Sequence, residues 1–534
     1  MVPCRLGHAY NVSWGPPQTA NGSETLLRER CVVIRDSINK FVLWLLVGGF
    51  VSAAPPLRAQ TVVFVDGDAT GPTHDGTSWC TAFTDLQDVL TAATAGTEIR
   101  VADGTYKPTT GVIRTRTFKL KTGVAVLGGF AGCGAVDPDL RDLSIYESVL
   151  SGDLNGDDVE VPESTCCREH PGTGCEQNSC EQAVCTERAP CCTDQWDRLC
   201  AALAAIQCCG ECGSRCENAY HVVSVVNVEG ADETAVLDGF TITGGFANGN
   251  NPSDRWAGIF VSGSFSPDPT RPTISNCRIR GNVASSKGAG VANEISEATY
   301  TNCAIDGNVA TFGSGVYNFR SSPSYVNCTV AGNTAQTNAG GMWSVVFEGN
   351  VVTIFNTILW NNADGGGLDQ SAQMTIAPGS FFVSHATVQG WTGSFGGTAN
   401  NGLDPLFADA AGPDGLLGTS DDDYSLTLGS PAINTSDPAT EVADGTVDLN
   451  GQPRLVGCRL DRGALESETT QAEFDFDADN VVTLADFAHL QVCFDAAGIE
   501  PGRVATCFCV FDADESGAID LDDFAAFEVA LIGP

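Results

Sequence analysis

Positive charge is scarce in this chain of 534 residues: Lys and Arg together number 27 against 66 Asp and Glu, giving a net charge of −39. A surface so acidic repels phosphate backbones and anionic lipid, which excludes nucleic acid as a partner. Aromatic residues are few, 8% of the chain, and Met occurs only 3 times. Long apolar runs are missing as well. The best is Phe41–Val51 (FVLWLLVGGFV), and its 11 residues are too short to cross a bilayer core. Charged residues of both signs make up just 17%, too few for a solvated, disordered acidic tail. No catalytic constellation is legible: the 6 His, at 8, 74, 170, 221, 385 and 489, are scattered, and no Asp-Asp pair falls on a strand.

What is present points to export. Arg28, Arg30, Arg35 and Lys40 precede the apolar run, and the small residues Ser52-Ala53-Ala54 follow it. This is the layout of a signal peptide with an N-terminal extension over residues 1–59, with no transmembrane span left after cleavage. Cysteine use agrees. Of 23 Cys, 12 crowd between Cys166 and Cys216, a density that an oxidising compartment supports. The expected location is secreted or cell-surface.

The strongest pattern is internal repetition. SNCRIRGN (Ser275–Asn282), TNCAIDGN (Thr301–Asn308), VNCTVAGN (Val326–Asn333) and FNTILWNN (Phe355–Asn362) align, with their first Asn at 276, 302, 327 and 356. A second element recurs between them, GAGVANE (Gly288–Glu294), GSGVYNF (Gly313–Phe319) and AGGMWSV (Ala339–Val345). Each repeat holds short strands of period two broken at Gly and Asn, and it cannot bury its apolar face alone. Stacking copies solves that problem, so the expected architecture is an all-β right-handed parallel β-helix, a solenoid rising about 4.8 Å per coil. Ile242, Ile279, Ile305, Val330 and Ile358 are expected to form one internal ladder. Cys277, Cys303 and Cys328 stack inward beside it as buried free thiols, and the first Asn of each repeat takes a bend in the αL region.

Residues 61–466 carry this solenoid. Thr84–Thr91 (TDLQDVLT) has the spacing of a short capping helix, followed by a strand and turn in Thr97–Pro108. Together with GTSW (Gly76–Trp79), GGFAG (Gly128–Gly132) and LSGDLNGDD (Leu150–Asp158), this region resembles the pectin-lyase-like β-helix proteins of exported bacterial repertoires. DPLF (Asp404–Phe407), GSPAIN (Gly429–Asn434), DLNGQPR (Asp448–Arg454) and DRGALE (Asp461–Glu466) resemble the closing segment of large surface β-helix proteins of the choice-of-anchor Q type. The resemblance implies the fold; that fold hosts lyases, hydrolases, adhesins and stalks alike.

Residues 159–217 interrupt the solenoid as a cysteine-rich insertion expected to project from one coil like a knuckle. Its CC pairs around the lone Trp196 read as a knot of disulfides wrapped round one ring, in preference to a zinc site at Cys209, Cys212 and Cys216. Connectivity is open from sequence.

After Glu466 a second repeat appears, with FDFDADNVVTLADFAHLQVCF (Phe474–Phe494) aligning with FDADESGAIDLDDFAAFEVAL (Phe511–Leu531). Calcium takes six to eight hard oxygens, and a twelve-residue loop offers them at positions 1, 3, 5, 7, 9 and 12. In the first loop these are Asp475, Asp477, Asp479, the Val481 carbonyl, Thr483 and Asp486; in the second they are Asp512, Asp514, Ser516, the Ala518 carbonyl, Asp520 and Asp523. Apolar Val482 and Ile519 at position 8 suit two loops paired back to back. The unit, 467–534, resembles a dockerin, a small α-helical EF-hand-like domain, which implies calcium binding and a cohesin-like docking partner. Asn480 in place of Gly, and Leu484-Ala485 and Leu521-Asp522 in place of a hydroxyl pair, depart from the dockerin pattern. Two further Asp-rich loops are weaker calcium candidates: Gly412–Asp423, which reads equally well as a solvated turn, and Asp153-x-Asn155-x-Asp157, where no twelfth-position partner follows.

Candidates for chemistry on the repeat strands are Arg278, Arg280, Glu294, Glu297, Asp306 and Arg320, none of them in a family motif, so no catalytic residue is assigned. Trp343, Trp360 and Trp391 are candidates for stacking on sugar rings. The expected function is a calcium-binding, non-catalytic β-helix that binds a polysaccharide or cell-surface glycan or serves as a scaffold. The alternative is a polysaccharide lyase or glycoside hydrolase acting on an acidic polysaccharide.

Overall fold

The structure is a computed structural model; it describes the chain from residue 61 to 532, except for 227–231, 250–254, 264–268, 468–473, 475–481, 495–509, 514–518 and some single positions. The export segment, Cys458, Cys507 and Cys509 lie outside the described residues. Among those described, no helix is long and apolar enough to cross a membrane.

Three long sheets of nine, eight and seven strands and a fourth of four run side by side, and every pairing in them is parallel. Each of the first three repeats contributes one strand to each sheet. Thr273–Ser275 enters the first sheet, Arg278–Arg280 the second, Val283–Ala284 the four-stranded one and Val291–Glu294 the third. The next repeat pairs residue for residue, Arg278 with Ala304, Ile279 with Ile305, Arg280 with Asp306. This is the parallel β-helix that the repeats predict.

The corner between the first two sheets is a single left-handed residue. Asn276, Asn302, Asn327 and Asn356 all lie at φ of 50–52°, a region Asn enters more readily than other side chains. Cys277, Cys303 and Cys328 follow them, free and fully buried. Thr357 takes the same place in the fourth copy, so the ladder ends in a hydroxyl. The internal ladder itself runs Leu150, Ile242, Ile279, Ile305, Val330, Leu359. The expectation for Ile358 is therefore off by one. Counted from its αL Asn, that residue pairs with Thr329, points outward and packs on Leu426 and Ala432. Fully burying such an aliphatic side chain contributes roughly 1.5–3 kcal/mol.

A polar column accompanies the apolar one. Asn282, Asn308, Asn333 and Asn362, the last residue of each motif, are completely buried. Each donates its backbone and side-chain nitrogens to the side-chain oxygen of the next, Asn282 to Asn308 to Asn333 to Asn362, and Asn362 to Gln373, which terminates the column.

The open end is plugged by the helix Leu86–Ala92, whose Leu86, Val89 and Leu90 join the main core while Asp85 caps it through the Gln87 N–H at 2.8 Å. The closing motifs knot the other end of the sequence pattern. Arg454 is fully buried, pairs with Glu466 at 3.3 Å and donates to the Asp461 and Gly463 carbonyls.

Six disulfides use all 12 cysteines of the insertion: Cys166–Cys175, Cys167–Cys212, Cys180–Cys208, Cys185–Cys192, Cys191–Cys200 and Cys209–Cys216. A seventh, Cys80–Cys133, ties the N-terminal coil. Trp196 is fully buried among them and donates to the Cys166 carbonyl at 3.0 Å. So many disulfides fit an extracellular protein. The insertion does not project like a knuckle. It lies back along the four-stranded sheet: Arg198 donates to the carbonyls of Gly332 and Asn361 and to Thr334 Oγ1, and Arg215 to the Gly281 carbonyl at 2.6 Å. The glycine corners leave those carbonyls uncovered, and the two guanidiniums satisfy them.

Candidate functional site

The outer face of the second sheet carries a pocket of about 720 Å³. Strand alternation builds its floor. With Ile279 and Ile305 turned inward, Arg278, Arg280, Ala304 and Asp306 must face out, and the small Ala304 leaves the space. Glu147 comes from the segment before the insertion, Asp422 from the Asp-rich loop, Tyr424 from the strand Asp423–Leu426 that follows it, and Asn450 from the closing segment.

The loop reaches the site because of two glycines. Gly307 and Gly418 lie in the left-handed region, at φ of 57° and 88°, and their backbones touch; a Cβ on Gly307 would sit 2.1 Å from Gly418 Cα. The loop is thus a wall of the pocket, and the reading of it as a solvated turn fails for Asp422. Its other carboxylates bond locally, Asp414 to the Leu416 N–H at 2.7 Å, Asp421 to Thr419 Oγ1 at 2.7 Å, Asp423 to the Ser425 N–H at 2.8 Å. Among the described residues, these carboxylates do not gather as a metal-holding group.

Charge in the pocket is partly unbalanced. Arg280 pairs with Glu147 at 3.1 Å, and Glu147 also accepts from Thr241 Oγ1 at 2.6 Å. Arg278 donates to the neutral Asn450 Oδ1 and has no salt bridge among the described residues. Burial, then the neighbouring Arg280, pulls its pKa down. Asp306 is 2% exposed, and its carboxylate accepts no hydrogen bond among the described residues. Burial pushes it up to about 6 against the pull of Arg280 and Arg278. Asp422 accepts from the Gly418 N–H at 2.6 Å and the Tyr424 hydroxyl at 3.4 Å. Burial first, and then the charge of Asp306, push it up to about 8. At neutral pH Asp306 is therefore largely ionised and Asp422 largely protonated.

Sequence reasoning placed Arg278, Arg280 and Asp306 among the candidates, and the structure brings these three together. It separates the others. Glu294 lies on the third sheet, where burial raises its pKa beside Lys287. Glu297 pairs with Arg271 at 2.8 Å on the surface. Arg320 lies over the rings of Phe319 and Phe347. Trp343 stands on the outer face of the third sheet against Phe312 and Tyr317, whereas Trp360 packs beside Ile358 and Leu426, and Trp391 packs against the core near Phe395. Glu147, Asp422, Tyr424 and Asn450 were missed as pocket residues; they lie far apart in sequence, and only the fold places them together.

Of the calcium ligands expected in the tail, Asp475, Asp477, Asp479, Val481, Asp512, Asp514, Ser516, Ala518 and Asp520 lie outside the described residues. Thr483, Asp486 and Asp523 are described. Thr483 and Asp486 cap the helix Leu484–Phe494 reciprocally, Asp486 Oδ2 accepting from the Thr483 N–H at 2.7 Å and Thr483 Oγ1 from the Ala485 N–H at 3.0 Å. Asp523, at the start of the helix Leu521–Ile532, accepts from the Ala513 N–H at 2.8 Å. Both carboxylates are buried, and Val482 and Ile519 pack into the small core of Phe474, Leu490, Phe511 and Phe527. At the root of the insertion, Glu217 from its far end joins Asp153, Asp157 and Asp158, with ligand atoms within 4.8 Å of one another, which the linear spacing did not foretell.

No family model matches the chain, and no curated protein matches it. Among solved structures, the chain is similar to the pectate lyase Pel9A, at 11% identity over 77% of this chain and 98% of that chain, with a TM-score of 0.28. It is also similar to the pectin methylesterase from Aspergillus niger, at 12% identity over 70% of this chain and 91% of that chain, with a TM-score of 0.23. Likeness at this level carries no argument about activity. The β-helix rests on the strand order and register of the chain itself.

Proposed function

We propose that this is an exported β-helix protein that binds an acidic polysaccharide in the pocket of the second sheet. The observation that carries this reading is Arg278, a largely enclosed guanidinium without a salt bridge among the described residues, set beside Arg280 in a pocket of about 720 Å³. A guanidinium pair recognises a carboxylate or sulfate through parallel hydrogen bonds, and the Asp, Asn, Gln and Ser side chains around it suit sugar hydroxyls. In this reading the tail folds around calcium held by the twelve loop positions named above and docks onto a cohesin-like partner, leaving the solenoid free to meet its glycan at the cell surface.

Titration calorimetry of the full chain in calcium, against uronic-acid and sulfated oligosaccharides, tests it. Arg278→Ala is expected to weaken binding at least tenfold, and Trp343→Ala, on the third sheet, to leave it unchanged. Equal affinity in Arg278→Ala would sink the reading.

A further inference from the structure

We propose that Asp153, Asp157, Asp158 and Glu217 hold a calcium ion that fastens the root of the cysteine-rich insertion to the solenoid. The proposal is independent of the glycan reading and of the calcium loops in the tail.

The four residues come from the two ends of the insertion. Asp153, Asp157 and Asp158 follow the strand Ser148–Ser151, and Glu217 precedes the strand Val223–Val226, by which the chain re-enters the stack. The ends are brought together by the Ala219 N–H, which donates to the Gly152 carbonyl at 2.8 Å. Glu217 thereby supplies the carboxylate that Asp153-x-Asn155-x-Asp157 lacks at its own twelfth position. One ligand oxygen from each of the four lies within 4.8 Å of the others. Oxygens that share one calcium ion, each about 2.3–2.6 Å from it, stand at most about 5 Å apart, so the spacing fits one ion.

Four gathered carboxylates alone would be an ordinary acidic surface. What sets these apart is a group of acceptors without donors. Asp158 Oδ1 and Glu217 Oε1 are shut off from solvent and accept no hydrogen bond among the described residues. Asn218, 0% exposed, turns its amide into the same group, and its Oδ1 likewise has no partner among them. Flipping the amide gives no relief, because Nδ2 serves two acceptors, Asp158 Oδ2 at 2.7 Å and the Gly244 carbonyl at 2.8 Å. Buried oxygens left in this state are satisfied by a cation.

The basic groups close by do not take that role. Arg215 gives Nη1 to the Gly281 carbonyl at 2.6 Å, its Nε meets none of these oxygens, and Lys107 Nζ lies beside Gly156. Neither forms a salt bridge with any of the four among the described residues. An all-oxygen set selects a hard cation, and calcium tolerates the irregular geometry of a site drawn from two segments, whereas magnesium demands a near-ideal octahedron. All six disulfides of the insertion lie within it, so the ion is a clasp that they do not provide.

The test titrates calcium chloride into the full chain carrying Asp486→Ala and Asp523→Ala, which removes two ligands from the tail loops, and follows it by calorimetry and hydrogen exchange. Calcium is expected to bind with a dissociation constant on the order of 10⁻⁴–10⁻³ M or tighter. At ten times that constant, exchange at residues 153–158 and 215–219 should slow about tenfold, and exchange in the ladder strands should not change. Glu217→Gln and Asp157→Asn, each removing one charge in the same background, are expected to weaken binding roughly tenfold or more and to cancel the slowing. Asp157 is exposed, so its variant keeps the test open if Glu217→Gln fails to fold. Exchange at the root unmoved by calcium, slowing retained in both variants, or equal slowing by magnesium at the same concentration would overturn the proposal.

Discussion

Asn308 accepts two hydrogen bonds from Asn282, at 3.0 Å from its backbone nitrogen and 3.1 Å from its side-chain nitrogen. It repeats the gesture towards Asn333, giving both its own nitrogens to that oxygen at 3.0 Å. The backbone and side-chain nitrogens of Asn282 and Asn308 are thereby paired inside the core. Replacing Asn308 by Ala strands the backbone N–H of Asn282, at a cost of about 1–3 kcal/mol for a buried orphan, while the Asn282 side-chain nitrogen keeps the Ile242 and Arg280 carbonyls. A chemical-denaturation midpoint should fall accordingly, whereas Asn302→Gly, at a buried αL corner that Gly also adopts and where the side chain donates one long bond to Asn276 Oδ1 at 3.3 Å, should shift it less.

Asp422 makes stability depend on pH. Its folded pKa of about 8 stands above the unfolded value of 3.8, so the folded state holds the proton more tightly. The stabilisation is complete below about pH 4 and is lost as pH rises towards 8. The melting temperature of the wild type should therefore decline relative to Asp422→Asn between pH 5 and 8, with Asp306 adding to the lower part of that window through its pKa of about 6.

The ladder thiols are protected by their place in the core. Cys277, Cys303 and Cys328 are free and fully buried, and burial raises the Cys303 pKa well above that of an ordinary thiol. Without reductant, peptides containing these three should take up iodoacetamide only after denaturation, and the 12 insertion cysteines should take up none. Labelling of the ladder in the native protein would contradict the register.

Arg198 is the rivet between insertion and solenoid. It is enclosed and donates to Thr334 Oγ1 at 2.6 Å and the Asn361 carbonyl at 2.9 Å. In Arg198→Ala the six disulfides keep the insertion folded, and hydrogen exchange should rise at residues 332–334 and 361–363, without exposure of the ladder thiols.

Calcium removal should lower the tail's own melting transition. With EDTA, the transition of residues 474–532 is expected to shift downwards, apart from that of the solenoid. Asp486→Ala and Asp523→Ala should reproduce the shift and abolish that transition's response to added calcium.

The repeats made the solenoid legible because the corner between the first two sheets imposes one residue type, Asn at φ of 50–52°, in every copy. The one slip, Ile358 for Leu359, came from matching apolar residues by kind instead of counting from Asn356. The pocket was half legible. Arg278, Arg280 and Asp306 stood out as charges on strands that otherwise carry few. Asp422 did not, because an Asp in a run of three next to glycines reads as a wet turn until the contact between Gly418 and Gly307 turns it inward. Glu147 and Asn450 are held there only by the path of the chain, which local pattern does not encode.

The most direct test is a crystal structure of the full chain soaked with an acidic oligosaccharide that binds it in solution. An anionic sugar group within hydrogen-bond distance of Arg278 and Arg280, with the adjoining ring beside Asp422, is the predicted result. Sugar found only against Trp343 on the third sheet, with the pocket of the second sheet free of it, would contradict the account.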